Sequence, residues 1–163
     1  MRKVKYLVIT AILGLAACFS ASAASVAIQI VTHDFGESKI IDSAYVMEEN
    51  LFDFFFNRGI IISNTPIVGT EGKKEDDAKH FRQALGFARE GGVDYFVELT
   101  ADFDIIDAGV KKVFCKVINV SKDTDVASKT FVPSKKIKSE EKDLIAFSNN
   151  IAEFIYSSIK KDM

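Results

Sequence analysis

The stretch "GGVDYFVELTADF" (Gly91–Phe103) decides the fold. Two glycines break whatever precedes them, and the residues that follow alternate. Tyr95, Val97, Leu99, Ala101 and Phe103 fall on one side of an extended chain, and Phe96, Glu98, Thr100 and Asp102 on the other, because successive strand side chains point in opposite directions. One side is wholly apolar and the other mixed.

Working upstream, Lys74 to Glu90 has Ala78, Phe81, Leu85 and Ala88 at helical spacing, and Gly91-Gly92 stops that helix. "IIIS" (Ile60–Ser63) reads as a short strand buried on both faces. Pro66, Gly69 and Gly72 punctuate the loop after it. Ser38 to about Asn57 forms another helix, with Ile40, Ala44, Met47, Leu51 and Phe54 on its inner face and Gly59 suited to a left-handed C-cap. "SVAIQIVT" (Ser25–Thr32) is a β-branched first strand.

Downstream, "DIIDAG" turns the chain into a return strand, Val110–Val120. A polar turn, Ser121–Asp125, leads to a fifth strand, Val126–Val132. Ser139 caps a last helix to about Lys160, striped by Leu144, Phe147, Ile151, Phe154 or Ile155, and Ser158. The order β-α-β-α-β-β-β-α predicts an α/β fold, a mixed five-stranded sheet with helices mainly on one face. On the second face, Phe96, Phe114, Ile118 and Phe131 are candidates for an interaction surface, with Glu98 and Lys116 paired across strands. The alternative is that the C-terminal helix crosses over and covers them.

The N-terminus carries an address. Arg2, Lys3 and Lys5 precede an apolar run, Tyr6 to Ala17, and then small residues, the three parts of an export signal. Two cuts fit. Ala21-Ser22-Ala23 directs cleavage before Ala24; Leu15-Ala16-Ala17-Cys18 is a lipobox that would leave Cys18 lipidated. The cut before Ala24 is preferred, because the first strand starts near Ser25 and leaves a lipidated Cys18 almost no tether. Residues 1–23 are then a signal peptide and 24–163 a single domain, released into the periplasm or cell envelope. The other cut anchors it to a membrane, the only membrane contact expected.

Loss of Arg2, Lys3 and Lys5 from 21 basic residues set against 23 acidic ones moves the net charge from −2 to −5. That sign argues against nucleic acid as a partner. Lys135, Lys136 and Lys138 run straight into Glu140 and Glu141, a solvated loop at a helix start. With Cys18 in the export segment, Cys115 has no disulfide partner and reads as a small core residue.

No catalytic, cofactor or metal constellation emerges, and no cofactor is expected. His33-Asp34 ends the first strand, where α/β folds bind ligands, but lacks a second ligating residue at recognisable spacing. His80 has Asp76 and Asp77 one turn before it, a local helix-face contact. Asp102, Asp104, Asp107 and Gly109 miss the calcium-loop spacing, since position twelve is Val113. "GTEGKK" (Gly69–Lys74) misses the phosphate-loop spacing, with Ile67 at the first glycine position and Lys74 at the hydroxyl position. An enzyme would need His33, Asp34 and the Asp102–Asp107 loop to converge. "LFDFFF" (Leu51–Phe56) holds more aromatic surface than one helix face hides. It is either a helix end wedged between sheet and last helix, or, through Phe52 and Phe56, a contact for a partner or a second copy.

Ala88, Gly91-Gly92, Asp94-Tyr95 and Ile118-Asn119-Val120, in this order of elements, resemble the TolB N-terminal-like group with its CsgG-like exported envelope lipoproteins. Glu98 stands where that group often has glycine, and Asp123-Thr124-Asp125 replaces its usual Thr-Gly turn. The resemblance implies a non-enzymatic envelope module that docks to other proteins, with an envelope protein as partner and a homo-oligomer as the alternative.

Overall fold

In the computed structural model, residues 23–33, 38–104, 106, 108–134, 137 and 141–163 are described. Residues 1–22 of the expected export segment, with Cys18, and the expected cap Ser139 lie outside them, as do Asp34 and Asp107. The strands are β1 (Ser25–His33), β2 (Ile61–Asn64), β3 (Val68–Thr70), β4 (Tyr95–Phe103), β5 (Val110–Asn119) and β6 (Thr124–Phe131); the helices are α1 (Ser38–Phe56), α2 (Lys74–Glu90) and α3 (Glu141–Asp162).

The sheet runs β2-β1-β4-β5-β6, with β3 also on β1. Both helical crossovers give parallel neighbours, β2 and β4 flanking β1, and the two hairpins add antiparallel β5 and β6. The sixth strand, β3, lies where a loop was expected. Pro66 has no amide hydrogen to donate, so the edge strand breaks there. Thr65 still donates to the Ile28 carbonyl (3.0 Å), and pairing with β1 resumes at Val68 opposite Val31. β2 and β3 are two halves of one edge.

That placement corrects the reading of "IIIS". Only Ile60, just before β2, is buried; Ile61 is 62 % exposed. An apolar triplet suits a central strand, but here it lies at the rim of the sheet, with β1 as its one strand neighbour among the described residues.

The main core lies under α1 and α3. Met47, Leu51 and Phe55 of α1 meet Ile151, Ile155 and Ile159 of α3 over Ile28, Val97, Leu99 and Cys115. Burial pushes the Cys115 thiol up, out of the reactive range. α1 ends as expected: Gly59 is left-handed (φ +70°), with Ile60 N–H donating to Phe55 and Gly59 N–H to Phe56.

The second face is covered at one end by α2, not by the C-terminal helix. Ala84, Leu85 and Ala88 pack on the cross-strand row Ala27, Phe96 and Ile118. Phe96 and Ile118 are therefore core residues. Phe131 is on the other face altogether. In the β5/β6 hairpin, Ile118 pairs with Asp125 but Val117 pairs with Ala127, so Val126 is an extra, unpaired residue. One extra residue inverts the side-chain parity beyond it. Phe131 ends opposite Val113 and packs against Phe154 of α3, ring centroids 5.5 Å apart. Of the four candidates, Phe114 alone remains partly exposed on the second face.

Motif residues from the family resemblance have mechanical roles. Asp94 Oδ2 accepts from the Ser25 amide and hydroxyl, both at 2.8 Å, pinning the start of β1. Asn119 donates to Asp162 near the end of α3 at 2.6 Å.

Candidate functional site

The parallel strands end together at His33 (β1), Thr70 (β3) and Asp102 (β4), paired residue by residue. This carboxyl end of a parallel sheet is where an α/β fold gathers side chains from separate crossovers. His33 Nδ1 lies 2.7 Å from Asp102 Oδ1, and its Nε2 lies 3.0 Å from Asp77 Oδ2 in the first turns of α2. Thr70 donates to the other Asp77 oxygen at 2.9 Å, and its hydroxyl accepts from the Gly72 amide at 3.2 Å. Lys112 Nζ pairs with the second oxygen of Asp102 at 3.0 Å.

Gly72 makes this possible. It is left-handed (φ +70°), and a Cβ there would meet the His33 ring at 3.3 Å. The turn therefore lies directly on the imidazole. The two carboxylates flank opposite ring nitrogens, so together they orient the ring; they do not converge on one point as metal ligands would. Among the described residues no group of three or more His, Cys, Asp or Glu side chains is arranged to hold a metal ion.

His33 and Asp102 are thus brought together, as the enzyme reading required, and Asp77 joins them. Sequence spacing pairs Asp77 with His80; in the structure it turns to His33 instead. Asp104 folds back on its own turn, accepting from the Ile106 amide at 3.0 Å. Beside the triad opens a cleft of about 530 Å³ on the second face, with Phe81 and Lys74 from α2 on one wall and Glu98, Phe114 and Lys116 on its floor. Glu98 is 8 % exposed. Burial pushes its carboxyl up to about 7, against the opposing pull of Lys116. Glu98 and Lys116 are register partners, as expected, yet the Lys116 ammonium pairs with Asp125 at 3.1 Å.

A family model described as an uncharacterised protein matches residues 25–160. The chain belongs to that family. No curated protein matches it. Among solved structures, it is similar to PelC from Paraburkholderia phytofirmans, a dodecamer, at 17 % identity and TM-score 0.51, covering 85 % of this chain and 90 % of that one. It is also similar to TolB from Acinetobacter baumannii (14 % identity, TM-score 0.49, 85 % of this chain and 28 % of that one) and to the LpoB C-terminal domain from Salmonella enterica (14 %, 0.42, 72 % and 87 %). The family member shares the PelC fold.

A second feature lies at the opposite end of the sheet. Phe52, Phe56 and Ile60 to Ile62, with Asp53 and Gly59, line a largely apolar groove of about 540 Å³. The "LFDFFF" run divides. Phe54 and Phe55 are buried, and Phe54 stacks edge-on to Phe55 and Tyr156; Phe52 is half-buried and Phe56 is 76 % exposed. Ile61 sits beside the start of β1, donating its amide to the Ala24 carbonyl at 3.0 Å. The groove therefore adjoins the point where the chain leaves its N-terminal segment. Among the described residues no helix is long and apolar enough to cross a membrane.

Proposed function

We propose that the protein is an exported cell-envelope module that works by protein–protein contact rather than by catalysis, with the Phe52–Phe56–Ile61 groove as its contact surface. The observation that carries this is the exposure of Phe56 (76 %) and Ile61 (62 %) in one groove, along the edge of β2 that is unpaired among the described residues. Exposed aromatic and aliphatic side chains cost solubility and are kept where a partner covers them. An open strand edge offers backbone hydrogen bonds to the same partner. The export signal supplies the compartment.

Self-assembly is the reading favoured for that partner. Among the described residues the sheet has a second open edge at β6, flanked by Val132 at 68 % exposure, and two unlike edges on one subunit suit a head-to-tail ring. PelC, which shares the fold, forms a dodecamer.

Crosslinking in the cell envelope and light scattering of the purified protein, each repeated with Phe56→Glu, test both levels. Loss of an envelope crosslink in the variant supports the contact surface, and a wild-type oligomer that the variant reduces to monomer supports self-assembly. An unchanged crosslinking pattern with an unchanged mass would overturn the proposal.

A further inference from the structure

Away from that groove, the cleft on the second face has the features of a ligand site. Glu98 is more than nine-tenths buried as a residue, and its carboxyl, to which no described residue hydrogen-bonds, opens onto the cleft that it lines. The carboxylates beside it are already engaged: Asp77 by His33 and Thr70, Asp102 by His33 and Lys112. Three lysines, Lys74, Lys112 and Lys116, stand beside Asp77 and Asp102 around the cleft; Lys112 and Lys116 are paired with Asp102 and Asp125, whereas among the described residues no acidic partner holds Lys74. Phe81 and Phe114 supply apolar walls. The place for a cation is already filled, since the Lys116 ammonium stands 5.3 Å from the Phe81 ring centre and opposite Glu98.

We propose that this cleft binds a small organic anion, a carboxylate on an apolar body, with the body between Phe81 and Phe114, the charge toward Lys74 and Lys112, and an oxygen hydrogen-bonded to the Glu98 carboxyl on the floor. A neutral carboxyl donates such a bond; an ionised one repels the ligand.

Nuclear magnetic resonance titration of the purified protein with benzoate, benzylamine and benzyl alcohol tests this. Benzoate is expected to give saturable shifts in α2, β4 and β5, with affinity about tenfold weaker at pH 8 than at pH 6 as Glu98 ionises. Glu98→Gln keeps a donor that cannot ionise, so its benzoate affinity should be nearly flat over that range. His33, held by Asp77 and Asp102, and the Lys116–Asp125 pair are present in both proteins, so the comparison isolates Glu98. Lys74→Gln with Lys112→Gln should weaken binding several-fold. Benzylamine binding as tightly as benzoate, no benzoate binding to folded protein at millimolar concentration, or an undiminished pH dependence in Glu98→Gln would each overturn the proposal.

Discussion

His33 and Asp102 are register partners on adjacent parallel strands, with Nδ1 and Oδ1 2.7 Å apart. The bond joins the first crossover unit to the β4–β5 hairpin, and the His33–Asp77 contact at 3.0 Å carries it on to α2. One imidazole therefore clamps three elements. Both ring nitrogens face carboxylates, so each N–H that the ring carries has an acceptor in place.

Replacing His33 with Ala leaves Asp77 and Asp102 facing a vacancy without their shared donor. The expected cost is on the order of 1–2 kcal/mol by urea denaturation, moderated because the groups are about a quarter exposed. A double-mutant cycle with Asp102→Ala should return a coupling energy of at least about 0.5 kcal/mol, the range for residues in one hydrogen-bond network. Additive effects would show that the short distance carries no net energy.

Glu98 predicts a stability profile of definite sign. Its folded carboxyl is raised from 4.5 to about 7 by burial, so the folded state holds its proton more tightly than the unfolded chain does. Stability is unaffected below about pH 4.5 and declines as pH rises through 7. Glu98→Gln removes that decline. Its advantage over the parent should be on the order of 2 kcal/mol at pH 8 and vanish near pH 4, read from urea midpoints at the two values. Equal advantage at both would tie the effect to packing instead.

Neighbouring aromatics provide a sharper contrast. Phe55 is fully buried and Phe56 is 76 % exposed. Phe55→Ala should cost about 3–5 kcal/mol, as large-to-small core changes do. Phe56→Ala should stay within about 0.5 kcal/mol in the isolated protein. A large loss at Phe56 in monomeric protein would mean that it is packed against its own chain.

These sites differ in how far the sequence reveals them. The alternation of Tyr95–Phe103 and the helical spacing of Lys74–Glu90 are local patterns, and both elements appear with the expected bounds. Phe131 was misplaced because a single inserted residue, Val126, inverts parity without leaving any compositional trace. The His33 cluster was hidden for another reason. Asp77 and Asp102 lie 44 and 69 positions from His33, and Asp77 had a nearer, plausible partner in His80. Only the strand register and the left-handed Gly72 turn bring them together. The signal that was available was Glu98 itself, an acidic residue in the middle of an otherwise sheet-forming run.

The C-terminal helix ends on a polar latch that predicts acid sensitivity. Asp162 accepts from Asn119 at 2.6 Å, from Tyr95 at 3.0 Å and from Lys122 at 3.2 Å. The Asn119 bond, followed by those from Tyr95 and Lys122, holds its carboxyl below the usual carboxylate range. A depressed pKa means that the latch contributes fully above the unfolded value of 3.8 and is lost as pH falls through the lower folded value. Burial, and after it the same carboxylate, push the Tyr95 hydroxyl up to about 12, so stability should also fall above about pH 10 as the unfolded phenol ionises. Asp162→Asn is expected to lower the melting temperature at pH 7, to flatten the acid limb of the stability curve, and to speed amide exchange in the last turns of α3 while leaving α1 protected. Unchanged exchange in those turns would show that hydrophobic contacts such as Ile155 and Ile159 hold the helix end without the latch.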